Sequence, residues 1–170
     1  MSRKASVSLR RHRKNDFSVL AALRCDVKLQ HTLLGYPPRR TPSADETRGW
    51  IARRLDEPGG CFLVVADPRD HAIGFAQVTD VHRRGRFGKI GIALTADARG
   101  KGYGREALDR LLRHARETLK LRKILLEVRA DNALAIALFK RSGFRRVGTL
   151  RAHYDDGAAW HDVVLMERTP

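Results

Sequence analysis

The strongest periodic signal lies past the middle of the chain. Ala107, Leu108, Leu111, Leu112, Ala115 and Leu119 recur at i, i+3 and i+4 spacing with charged residues between them. That pattern predicts an amphipathic helix from about Gly102 to Leu119. Upstream, Cys61–Ala66 reads CFLVVA, a continuous apolar run of strand length. Ala72–Val81 and Lys89–Leu94 follow it across turns at Asp67–Asp70 and Arg83–Gly88, which predicts an antiparallel meander. Downstream, Arg122–Ala130 alternates. Ile124, Leu126 and Val128 point one way, and Leu125, Glu127 and Arg129 point the other. Asp131 and Asn132 stop this strand and cap a short helix, Ala133–Arg141, which Ser142 and Gly143 end. Two last strands, Phe144–His153 and Ala159–Glu167, flank the turn Asp155-Asp156-Gly157.

The first sixty residues are less regular. Ala5–Arg11 alternates as a strand. Asp16 to about Leu23 has helical spacing, with Asn15 or Asp16 as its cap. His31–Pro42 is rich in turn residues and reads as a loop. Ser43–Leu55 is a second helix. Ser43 and Glu46 stand in capping-box register, and Trp50, Ile51 and Leu55 form its apolar face. Pro58, Gly59 and Gly60 end it. The order is β-α-α-β-β-β-α-β-α-β-β. It describes an α+β (mixed α/β) fold, a central, mostly antiparallel sheet of about seven strands flanked by four helices.

Composition narrows the setting. With 170 residues and 42% hydrophobic content, one domain spanning residues 1–170 is expected, with a core that needs no disulfide or metal staple. Cys25 and Cys61 lack CxxC spacing and read as reduced thiols of a cytoplasmic protein. No apolar run approaches the ~18 residues of a membrane helix. The basic start MSRKASVSLRRHRK has no apolar core of a secretory signal. A cytoplasmic protein without a membrane partner follows. The histidines show neither HExxH nor zinc spacing, so no metal is expected. Thirty-four Lys and Arg against nineteen Asp and Glu leave a formal charge of +15. Such a charge favours an anionic partner, whether nucleic acid, acidic protein or phosphorylated small molecule. The basic runs at Arg10–Lys14 and Arg83–Arg86 read as solvated edges, which makes nucleic acid a weak expectation.

The stretch with most chemistry is Leu94–Ala107, LTADARGKGYGREA. It joins the end of a strand to the start of the predicted long helix. Gly100, Gly102 and Gly104 alternate with Lys101 and Tyr103 between Arg99 and Arg105. Helix-start N–H groups are unsatisfied and carry the positive end of the helix dipole, so this is a phosphate cradle. The GxxxxGK[ST] spacing of a Walker loop is absent. The dinucleotide fingerprint is absent too, because no acidic residue ends a second parallel strand about 20 residues on.

Two motifs then carry a resemblance. RGKGYG at Arg99–Gly104 is similar to the R/Q-x-x-G-x-G/A signature of the GNAT superfamily of acyl-CoA N-acyltransferases. NALAIALFKRSGF at Asn132–Phe144 resembles that family's N-x-x-A-x-x-L-Y-x-x-x-G-F segment, with Asn132, Ala135, Leu138, Gly143 and Phe144 in register. The resemblance implies acetyl-CoA as co-substrate. Its pyrophosphate would lie on the N–H groups of Gly100–Arg105, with charge from Arg99, Lys101 and Arg105 and with Tyr103 inside the cradle. Its pantetheine would run along Ile92, Ala93 and Leu94 as an added strand and bond to Asn132. Glu127 would remove a proton from the amine, and the Leu94 N–H would hold the oxyanion. The family's tyrosine acid is replaced here by Phe139, which has no proton to give. The resemblance is to the branch containing ribosomal-protein, polyamine and amino-sugar acetyltransferases, among which a homodimer is common. The acceptor amine would enter between Cys25–Pro42 and the final hairpin, where Lys28, Arg39 and Arg40 favour an anionic acceptor. A non-catalytic acyl-CoA-binding or nucleic-acid-binding module is the alternative.

Overall fold

The computed structural model describes residues 7–169. The seven strands are β1 (Ser8–Arg10), β2 (Cys61–Ala66), β3 (Ala72–His82), β4 (Phe87–Leu94), β5 (Lys123–Arg129), β6 (Arg145–Asp155) and β7 (Trp160–Arg168). They form one sheet in the order β1-β2-β3-β4-β5-β7-β6. All neighbours are antiparallel except β4 and β5. The parallel pair is the βαβ crossover, with α4 (Tyr103–Glu117) as its connection. Ala5 and Ser6 of the expected first strand lie outside the described residues.

Among the described residues five α-helices flank the sheet rather than four. The additional one is α2 (Val27–Thr32), between α1 (Phe17–Cys25) and α3 (Ala44–Leu55). Asp26 caps it, its side chain accepting from the Leu29 N–H at 2.9 Å. Six residues are too few for a helical period to show, so the expected His31–Pro42 loop loses His31 and Thr32 to this helix. The box at α3 has both expected bonds, Glu46 N–H to Ser43 Oγ at 3.1 Å and Ser43 N–H to Glu46 at 2.7 Å. Asp16 does not cap α1 through its side chain. Its carboxylate is instead bidentate to Arg10, at 2.8 and 2.9 Å, where it ties β1 to the entry of α1.

The two faces of the sheet have separate cores. On one, α4 lays Ala107, Leu108, Leu111, Leu112 and Ala115 against Val78, Ile90, Ile124 and Leu126. The fifth helix, α5 (Ala133–Arg141), adds Phe139 to the same cluster. On the other, Leu20 and Leu23 of α1, Leu29 of α2 and Ile51 of α3 cover Phe62, Val64, Phe75 and Ala93. Among the described residues no helix is long and apolar enough to cross a membrane. Both cysteines are free thiols.

Candidate active site

The parallel pair β4–β5 is hydrogen-bonded only at its start, at Phe87–Lys123, Gly88–Ile124 and Lys89–Leu125. Beyond Lys89 the strands part. Ile90–Leu94 stay paired with β3, while residues 126–129 pair with β7. The Thr95 N–H bonds the Ile73 carbonyl at 2.9 Å. Backbone groups alternate in direction along an antiparallel ladder, so Ala93 and Gly91 also face β3. Ile92 and Leu94 therefore turn their N–H and C=O groups into the gap. Arg99 closes one of these, its guanidinium donating twice to the Leu94 carbonyl at 3.1 and 3.0 Å. Of the three expected strand residues, Ile92 and Leu94 face the gap. Ala93 is bonded to β3, and its side chain is buried on the α1–α3 face.

At the mouth of the gap lies the glycine turn. Gly100 and Gly102 have φ of 74° and 82°, a region that favours glycine. A Cβ at either would meet nothing within 4 Å, so the backbone conformation, not crowding, requires glycine. Gly102 is the N-cap of α4, whose ladder opens with Glu106 N–H to Gly102 O at 3.3 Å. The N–H groups before it are the orphans of a helix start. A Cβ on Gly104 would lie 3.7 Å from Leu94 Cδ1 and 3.9 Å from Leu138 Cδ2. Glycine turn, β4 end and α5 thus converge. Tyr103 packs against the core. The three basic residues differ: Arg99 serves Leu94, Arg105 pairs with Asp109 at 3.1 Å, and Lys101 is exposed.

On the far wall, Asn132 caps α5 through Oδ1, which accepts from Ala135 N–H at 3.2 Å. Its amide nitrogen is not used by the cap. Phe139 is 8% exposed, edge-on to Phe144 at 5.7 Å between centroids. It is a core residue with no polar atom to offer. Lys140 and Arg141 are exposed in the last turn of α5.

Glu127 stands on the α1–α3 face of β5, across the gap from β4. Its Oε1 is 2.8 Å from Lys89 Nζ, and Asp80 lies 3.5 Å from the same ammonium. The hydrogen bond to Glu127 holds Lys89 protonated above the usual lysine range. The expectation for Glu127 named no partner, and the fold supplies Lys89. The signal was there in the alternation Lys89, Gly91, Ala93, which puts Lys89 on Glu127's face with only small residues beyond it. Beside them, Arg54 of α3 stacks 4.6 Å over Trp50 and donates to Gln77 Oε1 at 2.6 Å. A small cavity of about 180 Å³ opens between Trp50, Arg54, Glu57, Gln77 and Thr79.

The segment after α2 meets the final hairpin. Tyr154 Oη donates to the Gly35 carbonyl at 2.6 Å, and His31 Nδ1 lies 2.8 Å from the same oxygen. A phenol has one proton, so with Tyr154 donating to Gly35 it is the His31 Nδ1–H that donates in the second bond. Burial holds the Tyr154 hydroxyl above its ordinary pKa. Arg129 is tied down nearby by Asp131 at 2.6 Å and His161 at 3.1 Å. His161 Nε2 is 2.7 Å from Asp156. Asp156 is held well below the carboxylate range, first by the N–H groups of Ala158 and Ala159 and then by His161. Among the described residues, no group of three or more His, Cys, Asp or Glu side chains is placed to hold a metal ion.

The family model described as an acetyltransferase (GNAT) domain matches residues 6–145. Spermidine N(1)-acetyltransferase of Vibrio cholerae is 28% identical over 124 residues, 73% of this chain and 72% of the relative. An N-alpha-acetyltransferase of Sulfolobus acidocaldarius is 34% identical over 129 residues, covering 69% and 73%. A mycothiol acetyltransferase of Geodermatophilus obscurus is 35% identical over 117 residues, 65% of this chain but only 37% of the relative's length. Among solved structures, the V. cholerae spermidine N-acetyltransferase in complex with CoA and spermine superposes with a TM-score of 0.89 at 22% identity. It covers 98% of this chain and 96% of its own.

Proposed function

The chain belongs to the GNAT acetyltransferase family and is an acetyl-CoA-dependent N-acetyltransferase, and from that premise we propose how its residues divide the reaction. The observation that carries the proposal is the parting of β4 from β5, with the Ile92 and Leu94 backbone groups turned into the gap beside the glycine turn. Pantetheine, an extended amide chain, pairs with Ile92 and Leu94 as a missing strand and meets the Asn132 amide. The pyrophosphate takes the N–H groups from Gly100 to Arg105, with Lys101 as the available cation. Arg99 acts indirectly by fixing the Leu94 carbonyl, and Phe139 shapes the wall.

The acceptor approaches from the α1–α3 face. Glu127, directly or through one water, takes a proton from its ammonium. The free amine attacks the thioester carbon, forming the C–N bond while the Leu94 N–H holds the oxyanion. The C–S bond then breaks as the nitrogen gives its second proton to water, and the thiolate, whose conjugate acid has a pKa near 8.5, takes a proton from that water. Lys89 holds the Glu127 carboxylate in place until the acceptor's own cation arrives.

The relatives are a spermidine N(1)-acetyltransferase, a mycothiol acetyltransferase and an N-alpha-acetyltransferase, so their acceptors differ. Here Lys28 and Arg39 on the acceptor side, with few acids, favour an amine that also carries an anionic group over a polyamine. One domain accounts for the whole chain. A cytoplasmic setting fits acetyl-CoA and two free thiols. A homo-oligomer is expected, since a V. cholerae relative is described as dodecameric.

Titration calorimetry with acetyl-CoA, followed by thiol release over a panel of polyamines, amino acids, peptides and amino-sugar phosphates, tests the reading. Sub-millimolar acetyl-CoA binding is expected, as is turnover highest on an anion-bearing amine. Glu127→Gln should lower kcat by about 10²–10⁴-fold with acetyl-CoA affinity intact. Unchanged kcat would make Glu127 a structural partner of Lys89.

A further inference from the structure

Opposite the glycine turn, the start of the parallel pair gathers a dense group of cations. The Arg86 carbonyl accepts from the Arg122 N–H at 2.7 Å, and Arg86 Nε donates to the Lys120 carbonyl at 2.8 Å. These bonds lock the β3–β4 turn against the loop before β5. Lys123 and Arg145 both pair with Glu167, and Arg168 bonds the Ser142 carbonyl. Arg122, Lys123, Arg145 and Arg168 line an open groove of about 560 Å³. Among its described lining residues the only carboxylate is Glu167.

The charge at this end is little neutralised. Arg83, Arg84 and Arg122 are exposed and form no salt bridge among the described residues. At the other end of the sheet three arginines are matched, though the exposed Arg69 forms no salt bridge among the described residues. Arg129 has Asp131 and Asp156, Arg105 has Asp109, and Arg151 has Asp162. Mutual repulsion makes a cluster like this unfavourable by itself, so an anionic partner is the physical complement.

We propose that this basic end is a docking surface for single-stranded RNA. Three features select that occupant over an acidic protein. Arginines outnumber lysines here, and the planar guanidinium matches phosphate in a bidentate way. The groove crosses β5, β7 and β6, about 10 Å at ordinary strand spacing, and the turn that carries Arg83 and Arg84 is bonded to the loop before β5 at its edge. His82, exposed on that turn, is stacked on Phe87 at 4.9 Å and 6°, and its Nδ1 accepts from Gly85 N–H at 2.8 Å. A fixed, exposed aromatic face beside cations suits an unpaired base, which a duplex does not present.

Fluorescence anisotropy with a labelled 20-nucleotide single-stranded RNA, from 50 to 300 mM KCl, tests this. The wild-type chain should bind with an affinity that falls steeply with salt. Arg83→Ala/Arg84→Ala/Arg122→Ala should weaken binding at least tenfold and flatten the log–log salt slope by about 2, roughly 0.7 per lost contact. The same variant should keep wild-type acetyl transfer, which shows that it is folded. Arg48→Ala/Arg53→Ala/Arg39→Ala, away from the groove, should bind as wild type. No binding at 50 mM KCl, equal loss in both triple variants, or competition by CoA would overturn the proposal. Equal or tighter binding of poly-glutamate would assign the surface to an acidic protein instead. Equal or tighter binding of single-stranded DNA or duplex RNA would likewise overturn the choice of occupant.

Discussion

The two faces of the sheet are built on different terms. Under α4 and α5 the core is continuous and apolar, from Val78 through Ile90 and Ile124 to Met166. Under α1–α3 an aromatic group of Phe62, Phe75 and Trp50 gives way to a floor of Gln77, Gly91, Lys89 and Glu127. The helices on that side are held partly by polar ties. Arg10 grips Asp16, Gln30 donates to the Leu23 carbonyl at 2.9 Å, and Tyr154 holds Gly35. A face closed by apolar packing gives rigidity. A face left polar keeps a carboxylate, Glu127, beside the gap. The gap between β4 and β5 lies where the two meet.

The contrast can be broken in graded steps. Leu111→Ala, at a fully buried position of the closed face, should cost about 3–5 kcal/mol of stability. Denaturant unfolding would show it, and a loss under 1 kcal/mol would mean that α4 is not the keystone.

Asp16→Asn breaks the tie on the other face. The Arg10 guanidinium holds the Asp16 carboxyl below its ordinary range. A depressed carboxyl contributes stability that is fully present above the unfolded value near 3.9 and is lost as pH falls through the folded value. Asp16→Asn should therefore cost about 2–3 kcal/mol at pH 7, and the difference from wild type should shrink below about pH 4. A difference independent of pH would contradict the pairing.

Gly91→Val is the mildest step. A Cβ there would point at the Gln77 side chain, 3.1 Å from Nε2, which can move aside. The branched side chain would roof the polar floor. Acceptor KM should rise about tenfold, roughly 1.4 kcal/mol, with acetyl-CoA affinity unchanged. Equal effects on both ligands would place the acceptor elsewhere.

Much of this plan is legible in the chain itself. The α4 stripe, the β2–β4 meander, the Ser43 box and the Asn132 cap depend on neighbours in sequence, so local spacing carries them. So do the glycines at 100 and 102, whose positive φ belongs to the turn. The short helix α2 escapes because one and a half turns show no period. The Lys89–Glu127 pair escapes because its members sit on parallel strands 38 positions apart.

Sequence alone therefore determined the element order, the glycine turn, the second motif at Asn132 and the family they imply, since each resides in a contiguous stretch. It determined the amount of charge too, but not its place. Tertiary structure decided that β4 and β5 part after Lys89, that Ala93 faces β3 while Ile92 and Leu94 face the gap, and that Lys89 reaches Glu127. It also set the cations of four separated segments side by side. Those outcomes depend on which strands pair and where the pairing stops, and that is settled by packing of the whole sheet.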